Sequence, residues 1–293
     1  MRAIAVHGGA GQIPEELRPE HDEGIRIALQ AGRRVLTQEG SAVEAVIAAV
    51  VVLEDLPAFN AGYGSALNSE GYVELDAGLM EGRALEIGAV AAIRDVQNPI
   101  RVCRAILQAP QIFFSGADAS RVARKAGIEP VDSDSLMSPR RLKQRQSGAS
   151  IPALDSGLAA DTVGAVALDG KGDMASATST GGMNNKPPGR VGDSPLPGCG
   201  YYADNNWGAC STTGWGESLA RILAARRAIE ALERGLSPAQ AARMTVDLLK
   251  ERISEGEGGL ILLDCQGRFG ADFNSSTMTY AWWSERDGEG VVV

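Results

Sequence analysis

An α+β fold of layered helices and sheet is predicted by three features of this 293-residue sequence. Helical patterns and alternating, β-rich stretches occur in both halves. Strand-like stretches in the second half are joined by a glycine-bearing turn too short for a helical crossover, which makes them an antiparallel hairpin. The composition, 44% hydrophobic and 22% charged, is that of an ordinary globular protein. A core of normal size can therefore form without metal or disulfide staples.

In chain order, Ala3–Val6 reads as a buried strand running into His7-Gly8-Gly9-Ala10-Gly11. A helical pattern covers about Asp22–Glu39 and stops at Gly40. Ser41 followed by Glu44 is a capping-box signature. It opens an Ala/Val-rich helix to about Leu53, apolar nearly all round and hence buried. Strands follow near Val73–Met80 and Ala84–Ile93, and Asn98-Pro99 starts a helix to about Gln108. From about Pro130 to Ala160 the chain is rich in Ser, Asp, Arg and Gln, with no steady apolar period, and reads as a structureless linker. Beyond it a hairpin begins abruptly: Thr162–Asp169, a turn at Gly170-Lys171-Gly172, and Met174–Thr180. A Gly/Pro-rich loop runs through Gly200, then a strand near Gly208–Thr213 and one long helix over Glu217–Arg234. Ser237-Pro238 starts the last helix, to about Ile253. Gly259–Asp264, Phe269–Asn274 and Met278–Trp283 read as closing strands, and no internal repeat is visible.

Charge and hydropathy exclude several function classes. The net charge is −9, and the basic residues cluster only briefly near 140–145, so no nucleic-acid footprint is present. An anionic small molecule remains compatible, because one placed arginine is enough to bind a carboxylate. No apolar run approaches the roughly 20 residues of a membrane span. The opening Met1–Val6 run is too short for a secretory leader. Cys103, Cys199, Cys210 and Cys265 are scattered without C-x-x-C spacing, as expected for buried free thiols in a reducing cytoplasm.

Histidine scarcity sorts the chemistry. His7 and His21 are the two present, with His21 in an acidic helix start and His7 beside glycines, where packing is the commoner role. A zinc site is poorly supplied, since no H-x-x-x-H occurs. Amide hydrolysis without histidine is open to a threonine activated by its own α-amine. That amine has a reference pKa near 7.7, close to what a general base needs at neutral pH. Such a residue must sit at a chain start, so an internal threonine requires cleavage of the bond before it. A polar linker ending abruptly at a strand that begins with Thr162 has the arrangement this needs. Seen alone, a threonine there is more often an ordinary strand residue.

The surrounding motifs carry a specific resemblance. Thr162-Val163-Gly164-Ala165-Val166-Ala167-Leu168-Asp169, Thr178-Ser179-Thr180-Gly181-Gly182-Met183 and Gly189-Arg190-Val191-Gly192-Asp193-Ser194-Pro195 resemble the plant-type asparaginase/isoaspartyl peptidase family. Ser211-Thr212-Thr213-Gly214 with Gly216-Glu217-Ser218 continues the match, as do the His7–Gly11 loop, Phe59-Asn60-Ala61-Gly62-Tyr63-Gly64-Ser65 and Glu74-Leu75-Asp76-Ala77. The resemblance implies an αββα sandwich of the N-terminal-nucleophile hydrolase type. It implies a precursor that cuts itself between Asp161 and Thr162 into an α subunit (1–161) and a β subunit (162–293), which together make one domain. By motif, Thr162 is the nucleophile, Thr180 hydrogen-bonds and tunes its hydroxyl, and Thr213 with the Gly214 N–H forms the oxyanion hole. Asn60 is a further polar residue near the nucleophile, and Gly216 joins Gly214 in lining the substrate. Arg190 and Asp193 would grip the α-carboxylate and α-ammonium of an aspartyl unit, leaving its side-chain carbonyl to Thr162. Thr180 can equally be read as a cross-strand pairing residue, and Arg190/Asp193 as a surface ion pair. The expected reaction is β-amide hydrolysis of L-asparagine and β-aspartyl dipeptides. No organic cofactor is expected. A structural sodium would be bound by main-chain carbonyls of Leu53, Glu54, Leu56, Phe59, Ala61 and Tyr63, a segment that otherwise reads as a helix end and turn. Self-association as a dimer of αβ units is expected.

Two positions depart from the family pattern. Asp161 stands where glycine is usual before the nucleophile, although the related glycosylasparaginases also carry aspartate there. Trp215 stands where a smaller residue or histidine usually follows the oxyanion-hole glycine, and it either reshapes the pocket or packs into the core. Three rival readings are a glycosylasparaginase-type amidase, an uncut inactive binding protein of the same fold, and a nucleotide-binding kinase-like protein. Met183-Asn184-Asn185-Lys186 disfavours the first, and Gly8-Gly9-Ala10-Gly11 lacks phosphate-loop spacing for the last.

Overall fold

A computed structural model describes residues 1–11, 13, 15–147 and 162–293. The first half runs β1 (Ala3–Gly11), α1 (Arg18–Thr37), α2 (Ala42–Asp55), β2 (Leu75–Glu81), β3 (Ile87–Ile93), α3 (Pro99–Ile106), β4 (Phe113–Ser115), α4 (Gly116–Lys125) and α5 (Pro139–Ser147). The second runs β5 (Val163–Leu168), β6 (Met174–Thr180), β7 (Tyr201–Asp204), β8 (Gly208–Gly214), α6 (Gly216–Ile222), α7 (Ala224–Glu233), α8 (Pro238–Arg252), β9 (Gly258–Asp264), β10 (Phe269–Phe273), β11 (Thr277–Ser284) and β12 (Gly288–Val292). The fold is α+β, with two sheets among the described residues.

The larger sheet has strand order β12-β11-β1-β5-β6-β2-β3-β4, antiparallel except between β3 and β4. The smaller has order β10-β9-β8-β7 and is antiparallel throughout. Alternation along β1 assigns its faces: Ile4 and Val6 join a cluster with Ile25, Val46, Val50 and Leu53 of α1 and α2. Ala3 and Ala5 join a cluster that draws on both sheets, with Val166 of β5 and Ile261 and Leu263 of β9. A third cluster packs Ala228, Ile229 and Val246 of α7 and α8 on Cys210, Leu260 and Leu262. Small residues allow close approach of the two sheets. A side chain at Gly78 would overlap the Tyr201 ring, and one at Gly164 would meet Ser211 and lie 2.5 Å from His7 Nε2.

Several sequence expectations need correction. The 130–160 stretch is not structureless where it is described: a 3₁₀ turn occupies Ser133–Leu136 and α5 follows. Its missing apolar period has a physical reason, because polar anchors hold α5. Arg141 donates to the Gly64 carbonyl at 3.1 Å and to Asn184 Oδ1 at 2.7 Å. The rest of that stretch, from 148, and Asp161 lie outside the described residues. The single helix expected over Glu217–Arg234 is two, broken at Leu223 with φ 54°. The break arises because Ala225 and Arg226 donate their N–H groups to the Cys199 and Gly198 carbonyls instead of to the preceding turn. At α2, Ser41 Oγ accepts from the Glu44 N–H at 3.2 Å, but the Glu44 carboxylate pairs with Arg104 rather than returning to complete the box. Strands β4, β7 and β12 and helix α4 were not anticipated; three to five residues of strand, or a helix after Gly116, give too little periodic signal. Of the four free thiols, Cys265 is exposed rather than buried.

Candidate active site

Thr162 directly precedes β5 and is 2% exposed. The β5–β6 register pairs Val163 with Ser179, which brings the end of β6, Thr180, level with Thr162. Strand β2 flanks the other side and pairs Asp76 with Thr180. The hydroxyl partner of Thr162 is Ser194 Oγ, at 2.9 Å. Thr180 Oγ1 instead accepts the Gly182 N–H at 2.9 Å. The Gly181-Gly182 turn, with φ +76° at Gly182, aims its amide back at Thr180, and this bond leaves the Thr180 hydroxyl proton free to donate. Asn60 fixes the same turn. Its Nδ2 donates to the Gly182 carbonyl at 2.7 Å, its Oδ1 accepts the Ala66 N–H at 2.7 Å, and its carbonyl accepts from Gly181 at 2.9 Å.

Thr213 and Gly214 end β8 in the smaller sheet, and Thr213 is fully buried. Gly214 has φ +141°, and a side chain there would overlap Gly258 Cα and lie 2.5 Å from the Glu257 carbonyl, so only glycine fits. Gly216 opens α6 against Asp193; a side chain there would lie 3.0 Å from Asp193 Oδ1. Trp215 caps α6 half-buried, with its N–H on the Glu257 carbonyl at 2.8 Å, so it is not a core residue.

Asp193 is buried, and burial pushes its carboxyl up to about 7, against the opposing pull of the Thr212 hydroxyl bonded at 2.9 Å and of Arg190. Arg190 lies on the same loop, but its guanidinium is held by Glu217 through Nε at 2.7 Å and Nη2 at 2.5 Å. The Nε/Nη2 edge is occupied, which leaves the Nη1 side for another carboxylate.

Both histidines are buried, His7 against the Thr162 main chain. Burial pushes His7 down to about 3 and His21 down to about 4, so both are neutral at physiological pH. His7 Nε2 lies 2.7 Å from Ser211 Oγ, linking β1 to β8 behind the start of β5. His21 Nε2 meets the Ala58 carbonyl at 3.2 Å, with its ring tilted on Phe59.

Ser194, Thr212, Glu217, Asp76 and Lys186 were not singled out by sequence reasoning. Each lies inside or beside a quoted motif, yet no spacing distinguishes a residue that touches Thr162 or Asp193 from one that merely accompanies it. No group of three His, Cys, Asp or Glu side chains suited to a metal occurs among the described residues. Among them, too, no helix is long and apolar enough to cross a membrane.

The asparaginase family profile matches residues 1–293. The chain belongs to this asparaginase family. Curated relatives of similar length agree: it is 43% identical over 282 residues to the isoaspartyl peptidase/L-asparaginase of Xenopus laevis, covering 95% of this chain and 91% of that one. To the Homo sapiens protein of the same name it is 41% identical over 291 residues, covering 98% and 94%. To the isoaspartyl peptidase of Escherichia coli K12 it is 40% identical over 297 residues, covering 95% and 92%. As an asparaginase-family chain it presents three threonines on strand ends and an Arg/Asp loop at one place in the fold.

Proposed function

We propose that this chain is a precursor that cuts itself between Asp161 and Thr162, and then hydrolyses the β-amide of L-asparagine and β-aspartyl dipeptides to release L-aspartate. The observation that carries the reading is the placement of Thr162: a buried hydroxyl on the residue that directly precedes a central strand, level with Thr180. The names of the relatives supply the substrate class. In the cutting step the Thr162 hydroxyl attacks the Asp161 carbonyl and the C–N bond breaks, giving an ester on the threonine oxygen and a free α-amine. Water then hydrolyses the ester, leaving Asp161 as a new carboxylate. In turnover the amine takes the hydroxyl proton as the oxygen attacks the substrate's side-chain carbonyl, and the same proton passes to the departing amine, leaving an aspartyl ester on Thr162. Water, deprotonated by the same amine, then cleaves that ester, releasing L-aspartate and restoring the hydroxyl. The Thr213 hydroxyl and Gly214 N–H receive the oxyanion charge. Arg190 takes the α-carboxylate on its open edge, while ionised Asp193 takes the α-ammonium.

The same reading assigns the two sheets and their covering helices to an αββα sandwich, and the molecule to a dimer of αβ units in a reducing cytoplasm. It also takes in a structural sodium. At Gly62, with φ +51°, an added side chain would fill a cradle against the Glu54 carbonyl and 2.6 Å from the Gln97 carbonyl. The carbonyl oxygens that converge there are hard donors of the kind such a cation takes. The carbonyls of Leu53, Glu54, Leu56, Phe59, Ala61 and Tyr63 would hold it, and it would rigidify the loop that carries Asn60.

Purified protein is expected as two fragments, the smaller beginning Thr-Val-Gly-Ala-Val on N-terminal sequencing, with aspartate released from a β-aspartyl dipeptide. A single full-length band on long incubation, with no dipeptide hydrolysis, rejects the proposal.

A further inference from the structure

Behind the candidate site lies a buried ion pair that the proposed reaction does not use. The Lys186 side chain is 1% exposed and that of Asp76 is 0% exposed, with Nζ 3.9 Å from Oδ2. Lys186 Nζ also donates to the Glu74 carbonyl at 3.2 Å. Asp76 Oδ1 accepts the Ala92 N–H at 2.8 Å, whereas Oδ2 has no hydrogen-bond partner among the described residues. Burial pushes the Asp76 carboxyl up and the Lys186 ammonium down, and each charge draws the other back. Replacing such an imperfect buried pair by apolar groups of similar volume is often neutral or stabilising. Stability therefore gives no reason for a lysine here.

Its surroundings do. A side chain at Gly182 would sit 2.8 Å from both Lys186 Cδ and Nζ, so the lysine stem directly underlies that glycine. Gly182 is the residue whose N–H bonds Thr180 Oγ1 and whose carbonyl is held by Asn60. Asp76, the other end of the pair, is the strand partner of Thr180. The main chain at Lys186 is pinned as well, its carbonyl accepting from Ser69 at 2.9 Å. Further along the same loop, Glu74 Oε2 accepts the Gly189 N–H at 3.0 Å, one residue before Arg190. The loop from 181 to 190 is thus seated on two carboxylate residues of one strand approach, with Lys186 as its buried peg.

We propose that Lys186 is a positioning residue for the hydrolysis: paired with Asp76, it fixes the Gly181-Gly182 turn, whose amide orients the Thr180 hydroxyl at the strand end level with Thr162. The inference rests on the role given to Thr162 in the preceding subsection and on the expectation that Thr180 tunes its hydroxyl. Lys186 touches the turn beside Thr180 more directly than the Arg190 end, so its loss acts on turnover more than on substrate binding.

The test compares Lys186→Met, the double variant Lys186→Met/Asp76→Leu and Thr180→Val with the parent. Fragment formation, Tm, kcat per free Thr162 terminus and KM for a β-aspartyl dipeptide are measured for each. Lys186→Met strands the buried Asp76 carboxyl and is expected to lower Tm, whereas the double variant should keep it within a few degrees of the parent. In both, kcat is expected to fall about 10- to 100-fold, the cost of a slightly misplaced group. KM is expected to move less than about threefold, as for an interaction made in the transition state. A double variant that folds with parental Tm but stays uncut supports the proposal equally, because the cut uses the same hydroxyl. The double variant removes both charges; if the single variant fails to fold, the double variant decides. Parental kcat in whichever variant folds, or losses of kcat that follow Tm across the series, overturns the proposal. If Thr180→Val keeps parental kcat while Lys186→Met loses it, the role of Thr180 is what fails, and Lys186 acts by another route.

Discussion

The two ends of the candidate site are built differently. On the reacting side, Thr162, Thr180 and Thr213 stand at the ends of β5, β6 and β8, where strand pairing fixes the backbone. On the head-group side, Arg190 and Asp193 lie on a loop without regular structure, set by side chains: Glu217 on Arg190, Thr212 on Asp193, Glu74 on Gly189. A hydrogen-bonded sheet holds a hydroxyl at a fixed distance with little help. A loop needs buried polar partners for the same accuracy, and each partner is a point where the site can be tuned or broken. The chemistry should therefore fail all at once, and recognition by degrees.

The largest effect tests the strand-borne side. Thr162→Ala is expected to remain one chain and to lose at least about 10⁴-fold in activity, since nucleophile and base are one residue. A gel that still shows cutting at the same bond removes Thr162 from the cleavage step. Gly214→Ala follows: a methyl at φ +141° against Gly258 should cost about 1–3 kcal/mol in strain, read as a lower midpoint in urea, and displace the N–H proposed for the oxyanion. An unchanged midpoint and kcat would place Gly214 outside any strained or reacting position.

On the loop side, Arg190→Lys should raise KM roughly 10- to 100-fold with a smaller change in kcat, because an ammonium cannot reproduce the bidentate grip. The pH dependence has a definite sign. Asp193 is held up to about 7 from an ordinary value of 3.8, so in the free protein it is neutral below about 7 and ionised above. A neutral carboxyl cannot pair with an ammonium, so binding of L-aspartate should weaken as pH falls. The dissociation constant at pH 5 is expected to be about 100-fold above its high-pH limit. Calorimetry of aspartate binding checks this without involving the Thr162 amine as a base, and a flat profile from 5 to 8 removes Asp193 from the ammonium site. The smallest change is Glu217→Gln, which loosens the orientation of Arg190 and should raise KM about threefold to tenfold at unchanged kcat.

Much of the scaffold was legible because it rests on local rules. Ser41 and Ser237 each cap a helix with the hydroxyl they advertise, and the Gly170–Gly172 turn returns β6 along β5. The positions of Thr162, Thr180 and Gly214 followed from motif order, and the structure places them at strand ends. The break at Leu223 was not legible, since its cause is the pair of carbonyls at Gly198 and Cys199, remote in sequence. Nor was the fold of 133–147, where Arg141 rather than an apolar stripe supplies the anchor.

What the sequence alone determined is which groups are available: three threonines preceding or following glycines and strands, two histidines, and one Arg/Asp loop. Only the tertiary structure decided who partners whom. It gave the Thr162 hydroxyl to Ser194, Arg190 to Glu217, and Lys186 to Asp76 under the Gly182 turn. The physical reason is range. Capping and strand alternation act over two to four residues and are written along the chain. Desolvation and buried charge pairing depend on what the folded neighbours exclude, and no stretch of sequence contains that by itself.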